Sequence, residues 1–308
     1  MKAKHKGFLL VMIGATFWGV GGTVSQKLFQ DFQVEVGWLV AIRLLIAGIC
    51  LLVVQGWAGG RGEIFRIWKT PASAFSIIVF GIAGMLAVQY TYMASISEGN
   101  AAVATLLQYL SPAFIMIYLL LRRQTLFTRQ DAWTLTLALT GCFLLLTNGS
   151  FQQFQVPVSS VVWGLLSGMA LAFYTLYAVG LLRQFASLVI VGWGMTIGGL
   201  VLSIFHPVWR TYPEALSGEG YVYLLFVIFG GTMIAFWFYI ASLRYLNAKS
   251  TSLLSCLEPL SAVLATVFWL QEPFGGFQWV GTLCILAMVI FLTFAEPVSS
   301  SASTIQDE

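Results

Sequence analysis

Two ionisable residues stand inside long apolar runs of the sequence. Glu258 directly precedes Pro259 in LLSCLEPLSAVLA, and Arg43 lies in AIRLLIAG. A charge at the centre of a bilayer costs about 2.5–3.5 kcal/mol, so such a residue faces the protein interior, forms a pair or becomes neutral. Three interpretations of Glu258 stay open: it carries a coupling proton, it binds a cationic group of a substrate, or it pairs with Arg43. Arg43 has the further alternative of extending its guanidinium to the membrane surface.

Two polar stripes precede two helical prolines. The stripes are Thr105, Gln108 and Ser111 before Pro112, and Ser252, Ser255 and Glu258 before Pro259. A spacing of i, i+3, i+6 places each stripe on one helical face. A helical proline frees the carbonyl four residues earlier, which here belongs to Gln108 and Ser255. The hydroxyls have the alternative of bonding to their own helix while the prolines only bend it, but the matched pair of stripes favours a shared cavity and two helix kinks.

Further candidates for the lining of this cavity are polar or aromatic residues in the middle of apolar runs. Gln89 is difficult to explain as a lipid-facing residue, and the aromatic candidates stand beside small or polar residues: Trp18, Tyr90, Tyr174 and Trp237. Four cysteines without a CxxC spacing and two distant histidines predict neither a metal site nor another cofactor site. No G-x-x-x-x-G-K-[ST] or HExxH motif occurs, so neither an ATP-driven pump nor a metalloprotease is indicated.

The composition places these residues in a membrane protein. Of 308 residues, 59% are hydrophobic and 9% are charged, whereas soluble domains carry about 25% charge. Ten segments approach the roughly 20 apolar residues that span a bilayer. They are numbered 1 to 10: 7–28, 38–57, 73–96, 100–121, 132–149, 160–182, 187–209, 221–243, 248–270 and 277–295. The loops leave no room for a soluble domain, and a net charge of +3 does not favour nucleic acid as a partner.

The distribution of basic residues predicts the orientation. With the N-terminus in the cytoplasm, 12 of the 15 lysines and arginines fall on the cytoplasmic side, two fall on the opposite side and Arg43 lies within segment 2. Short cytoplasmic loops carry an excess of Lys and Arg. Both termini are therefore predicted to be cytoplasmic.

The chain contains an internal repeat. YMASISEGNAAVATLLQYLSP (92–112) aligns without a gap with YIASLRYLNAKSTSLLSCLEP (239–259) at an offset of 147 residues. The alignment places segments 3 and 4 on segments 8 and 9, so each half holds five segments. Five is odd, so the halves enter the membrane in opposite directions, which is typical of secondary transporters with a substrate site near the midplane. The predicted units are residues 1–150, residues 151–297 and a polar tail, 298–308.

Several motifs together resemble a known family. They are GATFWGVGGTVSQK in segment 1, AIRLLIAG in segment 2, NAAVATLLQYLSPAF in segment 4 and NAKSTSLLSCLEPLSAVLATVFWLQE in segment 9. With them the chain resembles EamA-type members of the drug/metabolite transporter superfamily, as two repeats over about 7–149 and 160–295. One departure is that the acidic residue usual after segment 4 is replaced by Thr125, so that any role of Glu272 is not duplicated.

The sequence thus predicts an all-α integral membrane protein with ten transmembrane helices in two inverted five-helix repeats. The predicted function is a secondary transporter, not an enzyme. It would move a small metabolite, an amino acid or related zwitterion, out of the cell across the cytoplasmic (inner) membrane by alternating access. The alternative is proton-coupled transport of an organic cation or other metabolite. A carboxyl at Glu258 and a guanidinium at Arg43 would hold opposite ends of a zwitterion.

Overall fold

The protein is helical throughout the part of the chain that the structure describes. The computed structural model describes residues 2–124, 126–150, 155–209, 216–246 and 248–294. The helices, in the order of segments 1 to 10, are Lys2–Gln30, Val36–Gly59, Pro71–Glu98, Ala101–Leu121, Arg129–Thr147, Val158–Leu182, Ser187–Phe205, Gly218–Ser242, Ala248–Phe268 and Gly276–Phe294, with breaks and π-helical stretches given below. A short helix, Arg61–Arg66, follows segment 2.

Eight of these helices are long and apolar enough to cross a membrane, and Leu253–Phe268 in segment 9 is a shorter apolar helix. Segment 5 is helical but fails the same criterion, since it begins with the charged residues Arg129 and Asp131. The chain is therefore an integral membrane protein. The number of ten spans stays a prediction.

Helix ends follow local capping chemistry, and they correct some predicted boundaries. Segment 1 continues to Gln30 instead of ending at residue 28, and segment 7 ends at Phe205 instead of residue 209. The side chain of Asn100 accepts a hydrogen bond from the Val103 amide and begins segment 4. Thr128 and Asp131 form a capping box at the start of segment 5. These caps satisfy amide groups that have no partner inside the helix.

Segments 4 and 9 are each broken just before the helical proline, where the sequence predicts kinks. Segment 4 consists of Ala101–Gln108 and Ser111–Leu121, and segment 9 consists of Ala248–Ser255 and Leu257–Phe268. The break includes residue 109 in one half and residue 256 in the other, which correspond under the 147-residue offset. Proline supplies no amide hydrogen and displaces the preceding turn, so the backbone of both segments leaves the regular helix there.

Segments 3 and 8 contain π-helical stretches that the sequence pattern did not predict. They are Phe80–Leu86 and Phe226–Ile234. The offset of 147 places Phe80 on Val227, so the two stretches occupy matching positions of the repeat. π-helical turns are uncommon and often occur at functional sites.

The helix packing has the same pattern in both halves. Three pairs of equivalent segments pack against each other: 2 with 7, 5 with 10, and 4 with 9. Segment 3 packs on segments 6 and 7, and its counterpart, segment 8, packs on segments 1 and 2. In the same way segment 4 contacts segment 6, and its counterpart, segment 9, contacts segment 1. Glycines bring the backbones close: a Cβ atom on Gly21 in segment 1 would lie 2.9 Å from the Cα atom of Gly231 in segment 8. Small residues at helix crossings are typical of membrane bundles.

Candidate functional site

Glu258 lies in the first turn of the second helix of segment 9 and faces the break in segment 4. Its Oε2 atom lies 2.9 Å from the hydroxyl oxygen of Tyr109, a residue of that break. Glu258 is partly exposed although it stands in the middle of a predicted span. A carboxyl group with this hydrogen bond faces a neighbouring helix and not lipid, because lipid offers it no hydrogen-bonding partner.

Two further tyrosines lie within electrostatic range of Glu258: Tyr92 of segment 3 and Tyr239 of segment 8. The 147-residue offset relates these two tyrosines to each other. Tyr92 is buried, and its hydroxyl lies 2.8 Å from the Thr105 hydroxyl, which in turn donates to the Ala101 carbonyl at 2.7 Å. We define Tyr92, Tyr109, Tyr239 and Glu258 as the Glu258 cluster.

Trp18 and Tyr174 join the cluster through Tyr239. The Trp18 ring lies 5.2 Å from the Tyr239 ring and 4.8 Å from the Phe236 ring. Next to it, Gly19 lets segment 1 approach the backbone carbonyl of Glu258, where a Cβ atom would collide. Tyr174 of segment 6 lies within electrostatic range of Tyr239 and packs on Phe80 at 4.8 Å. Both predicted aromatic residues therefore lie near Tyr239.

Arg43 is 4% exposed and turns into the bundle. It does not extend to the membrane surface. One of its terminal nitrogens donates a hydrogen bond to Oε1 of Gln89 in segment 3, which accounts for that glutamine in an apolar helix. Its Nε atom has no hydrogen-bonding partner among the described residues. Arg43 also lies within electrostatic range of Tyr92.

The structure does not form the pair between Arg43 and Glu258 that the sequence left open as one alternative. The ion pairs among the described residues are Lys27 with Asp31 and His206 with Glu35. Arg43 bonds to Gln89, whereas Glu258 bonds to Tyr109. Tyr92 lies within electrostatic range of both charged residues, which do not form an ion pair with each other.

The two polar stripes have different surroundings. In segment 4, Gln108 donates to the Ser167 hydroxyl of segment 6 at 2.7 Å, and both Gln108 and Ser111 are buried. The Gln108 amide therefore binds a side chain of segment 6, and its place in a substrate cavity stays a prediction. In segment 9 the carbonyl of Ser255 lies 2.9 Å from the Tyr109 hydroxyl, as expected for a carbonyl freed by Pro259. The side chain of Ser252 lies outside the described part.

Tyr90 and Trp237 lie elsewhere. Tyr90 lines a cavity of about 390 Å³ between segments 3 and 7, which His206 also lines and Glu258 does not. Trp237 is 38% exposed and packs against its neighbour Phe238. A second cavity, about 260 Å³, lies between segments 4, 5 and 10 and is mostly apolar. Neither cavity contains the Glu258 cluster.

The sequence reasoning did not identify three tyrosines as site residues. Tyr92 and Tyr239 are identical in the repeat, and that identity in a helix beside the polar stripes was a usable signal. Tyr109 gave no such signal, because its counterpart is Cys256. Its position next to Glu258 depends on the helix break and on the contact between segments 4 and 9.

These features define a multi-pass membrane protein with charged and aromatic groups inside its helix bundle, which is the construction of a membrane transporter. The sequence matches the model of the EamA-like transporter family twice, over residues 5–147 and 158–294. The chain therefore belongs to the EamA-like transporter family. Membership agrees with the resemblance found in the motifs of segments 1, 2, 4 and 9.

Relatives and a solved structure agree with this assignment. YicL, an uncharacterized inner membrane transporter of Salmonella typhimurium, is 36% identical over 296 residues, which are 95% of this chain and 97% of YicL. YwfM, an uncharacterized transporter of Bacillus subtilis, is 25% identical over 93% of either chain. A crystal structure with 17% identity and a TM-score of 0.60 covers 94% of this chain and 97% of its own, and shows the same fold.

Proposed function

We propose that this transporter moves a small zwitterionic metabolite, an amino acid or a close relative, with Glu258 and Arg43 holding opposite charges of the solute. The observation that carries the proposal is that both residues lie within electrostatic range of Tyr92 while neither has an ion-pair partner among the described residues. A buried charge without a partner is costly. A solute with a carboxylate for Arg43 and an ammonium group for Glu258 would offset the cost at both ends.

The proposed architecture is ten spans in two inverted repeats, residues 1–150 and 151–297, with both termini in the cytoplasm. Support comes from the 12-to-2 distribution of basic residues and from π-helical and broken helices at matching positions. The paired packing of segments 5 and 10 favours counting segment 5 as a span. Alternating access would then move the two halves around the Glu258 cluster. The name of the relative YicL supports the inner membrane as the location, and export is the proposed direction.

A second candidate is proton-coupled transport of an organic cation. Tyr109 bonds to Glu258, Tyr92 and Tyr239 lie within electrostatic range of it, and aromatic faces attract ammonium groups. In this case Glu258 would alternate between a proton and the cation, and Arg43 would have no ligand to bind. The two candidates therefore differ in whether Arg43 is required.

A ligand panel with the purified protein and two variants separates the candidates. The panel contains amino acids, the matching amino acid amides, which lack the carboxylate, and the matching amines. A zwitterion transporter is stabilised against heat by amino acids alone, and both Arg43→Gln and Glu258→Gln abolish that stabilisation. An organic-cation transporter responds to amides and amines, and Arg43→Gln does not change its response. If no compound of any class raises the melting temperature or moves into proteoliposomes, both proposals fail.

A further inference from the structure

The Tyr109 hydroxyl has one hydrogen but lies within hydrogen-bonding distance of two oxygen atoms. Its hydroxyl oxygen lies 2.9 Å from Oε2 of Glu258 and 2.9 Å from the carbonyl oxygen of Ser255. A phenol has one O–H donor, and an ionised carboxylate and a carbonyl only accept. One hydrogen shared between both acceptors is poorly directed to each, so the two contacts are both well-directed hydrogen bonds only when Glu258 itself carries a proton. Then the carboxyl O–H donates to Tyr109, and Tyr109 donates to Ser255.

We propose that Tyr109 transmits the protonation of Glu258 to the kink of segment 9. This inference rests on the proposed role of Glu258 within the transport site. When the proton leaves the carboxyl group, the Tyr109 hydrogen turns to the carboxylate, since a charge-assisted hydrogen bond is the stronger one. The Ser255 carbonyl then loses the tyrosine donor. No covalent bond changes apart from the carboxyl O–H.

The switch acts at the joint between the two helices of segment 9. Ser255 ends the first helix, and the second begins at Leu257. Pro259 has no amide hydrogen to return to the Ser255 carbonyl, so a side chain of segment 4 supplies a donor there. When Glu258 is protonated, Tyr109 of segment 4 thus donates a hydrogen bond to the backbone of the kink. Deprotonation of Glu258 breaks that hydrogen bond.

The groups around Glu258 favour a switch that depends on one proton, the proton of the Glu258 carboxyl group. The titratable groups facing it are Tyr92 from segment 3, Tyr109 from segment 4, Tyr239 from segment 8 and Cys256 in its own segment. All are neutral over the physiological range when unperturbed, and no described cation forms an ion pair with Glu258. The charge in the cluster therefore changes with Glu258 alone.

The first test uses protons as the only probe. Infrared difference spectra of the reconstituted protein are recorded between acidic and alkaline pH. We expect a band of a protonated carboxyl group that Glu258→Gln removes. Tyr109→Phe should keep the band but shift it, because the carboxyl loses its acceptor, whereas the control Tyr118→Phe, 46% exposed in the same segment, leaves it in place. An unshifted band in Tyr109→Phe overturns the proposed hydrogen bond.

The second test reads the kink through Cys256, which is partly exposed beside Glu258. Cys50, Cys142 and Cys284 are replaced by serine, and the alkylation rate of Cys256 is measured against pH. The rate should vary beyond ordinary thiol ionisation by about fivefold, which corresponds to one neutral hydrogen bond. Tyr109→Phe and Glu258→Gln should both abolish the excess variation. Pro259→Ala, which returns an amide donor to Ser255, should reduce it.

The outcomes separate this inference from the proposed function. If Tyr109→Phe retains the full excess variation while Glu258→Gln loses it, Glu258 titrates and Tyr109 is not the transmitter. If Glu258→Gln also retains it, the kink does not respond to Glu258, and the inference is overturned irrespective of what the transporter carries. The ligand panel, which involves no change of pH, decides the proposed function independently.

Discussion

Gln26 of segment 1 and Glu272, in the turn after segment 9, are joined by a hydrogen bond of 2.8 Å. Gln26 is fully buried, and its amide oxygen accepts from the Ala101 amide, also at 2.8 Å, at the start of segment 4. One side chain therefore joins the ends of three segments at one face of the bundle. With the predicted orientation this is the outer face. The residue that corresponds to Glu272 under the repeat offset is Thr125, which has no carboxylate.

Loss of the Gln26 amide should weaken the contact between the ends of segments 1, 4 and 9 at the outer face. Gln26→Leu keeps a similar volume but removes the bond to a charged partner, so we expect the free energy of unfolding to fall by about 1.5–3 kcal/mol. Alkylation of Cys256 by a membrane-impermeant reagent should become faster from the outer side only. Thermal denaturation and labelling in right-side-out and inside-out vesicles measure the two effects.

The adjacent Lys27 provides the control for Gln26. Its partly exposed ion pair with Asp31 is worth less than about 1 kcal/mol. Lys27→Gln should therefore change neither stability nor outer labelling appreciably. Equal labelling of Gln26→Leu and the parent protein from the outer side would show that this bond does not hold the face closed.

Removal of the Arg43 charge should stabilise the protein without ligand and abolish zwitterion binding. In Arg43→Met with Gln89→Leu, the unpartnered Nε and the amide facing it are both replaced by apolar groups. We expect a gain of about 1–3 kcal/mol, the cost of a buried polar group that lacks a partner. Thermal denaturation without ligand measures the gain. Marked destabilisation would instead indicate that Arg43 is structural.

The Gly21–Gly231 crossing should not tolerate a side chain. Gly21→Val would force segments 1 and 8 apart, and overpacking of this kind costs about 1–3 kcal/mol. Gly180→Ala in segment 6 is the control, because a Cβ atom there has no neighbour within 4 Å. Chemical denaturation should show a loss for Gly21→Val and none for Gly180→Ala. Equal stability of the two variants would show that the crossing is not tight.

The cap of segment 4 should contribute to stability by itself. Asn100 accepts the Val103 amide at 2.9 Å, so Asn100→Ala should cost about 1 kcal/mol. Asn100→Asp keeps the acceptor oxygen and should retain most of the stability. Thermal denaturation of both variants checks this, and an equal loss in both would mean that Asn100 acts other than as a cap.

The sequence by itself determined the membrane-protein class, the helical segments and the broken helices. These follow from composition, from runs of apolar residues and from proline chemistry, all of which are local properties. The resemblance to the family, which the family match confirmed, likewise depended on motifs within single segments. The repeat alignment marked Tyr92 and Tyr239 as equivalent before any contact was visible.

Only the tertiary structure decided which groups meet. In the structure Arg43 bonds to Gln89 and Glu258 bonds to Tyr109, whereas the sequence left a direct pair between Arg43 and Glu258 open. The structure also placed the Gln108 amide against Ser167 of segment 6, a contact that the sequence did not predict. Helical spacing fixes which residues share a face, but the neighbour of that face depends on the rotation and packing of separate helices. The π-helical stretches shift that rotation, and no pattern within one segment specifies it.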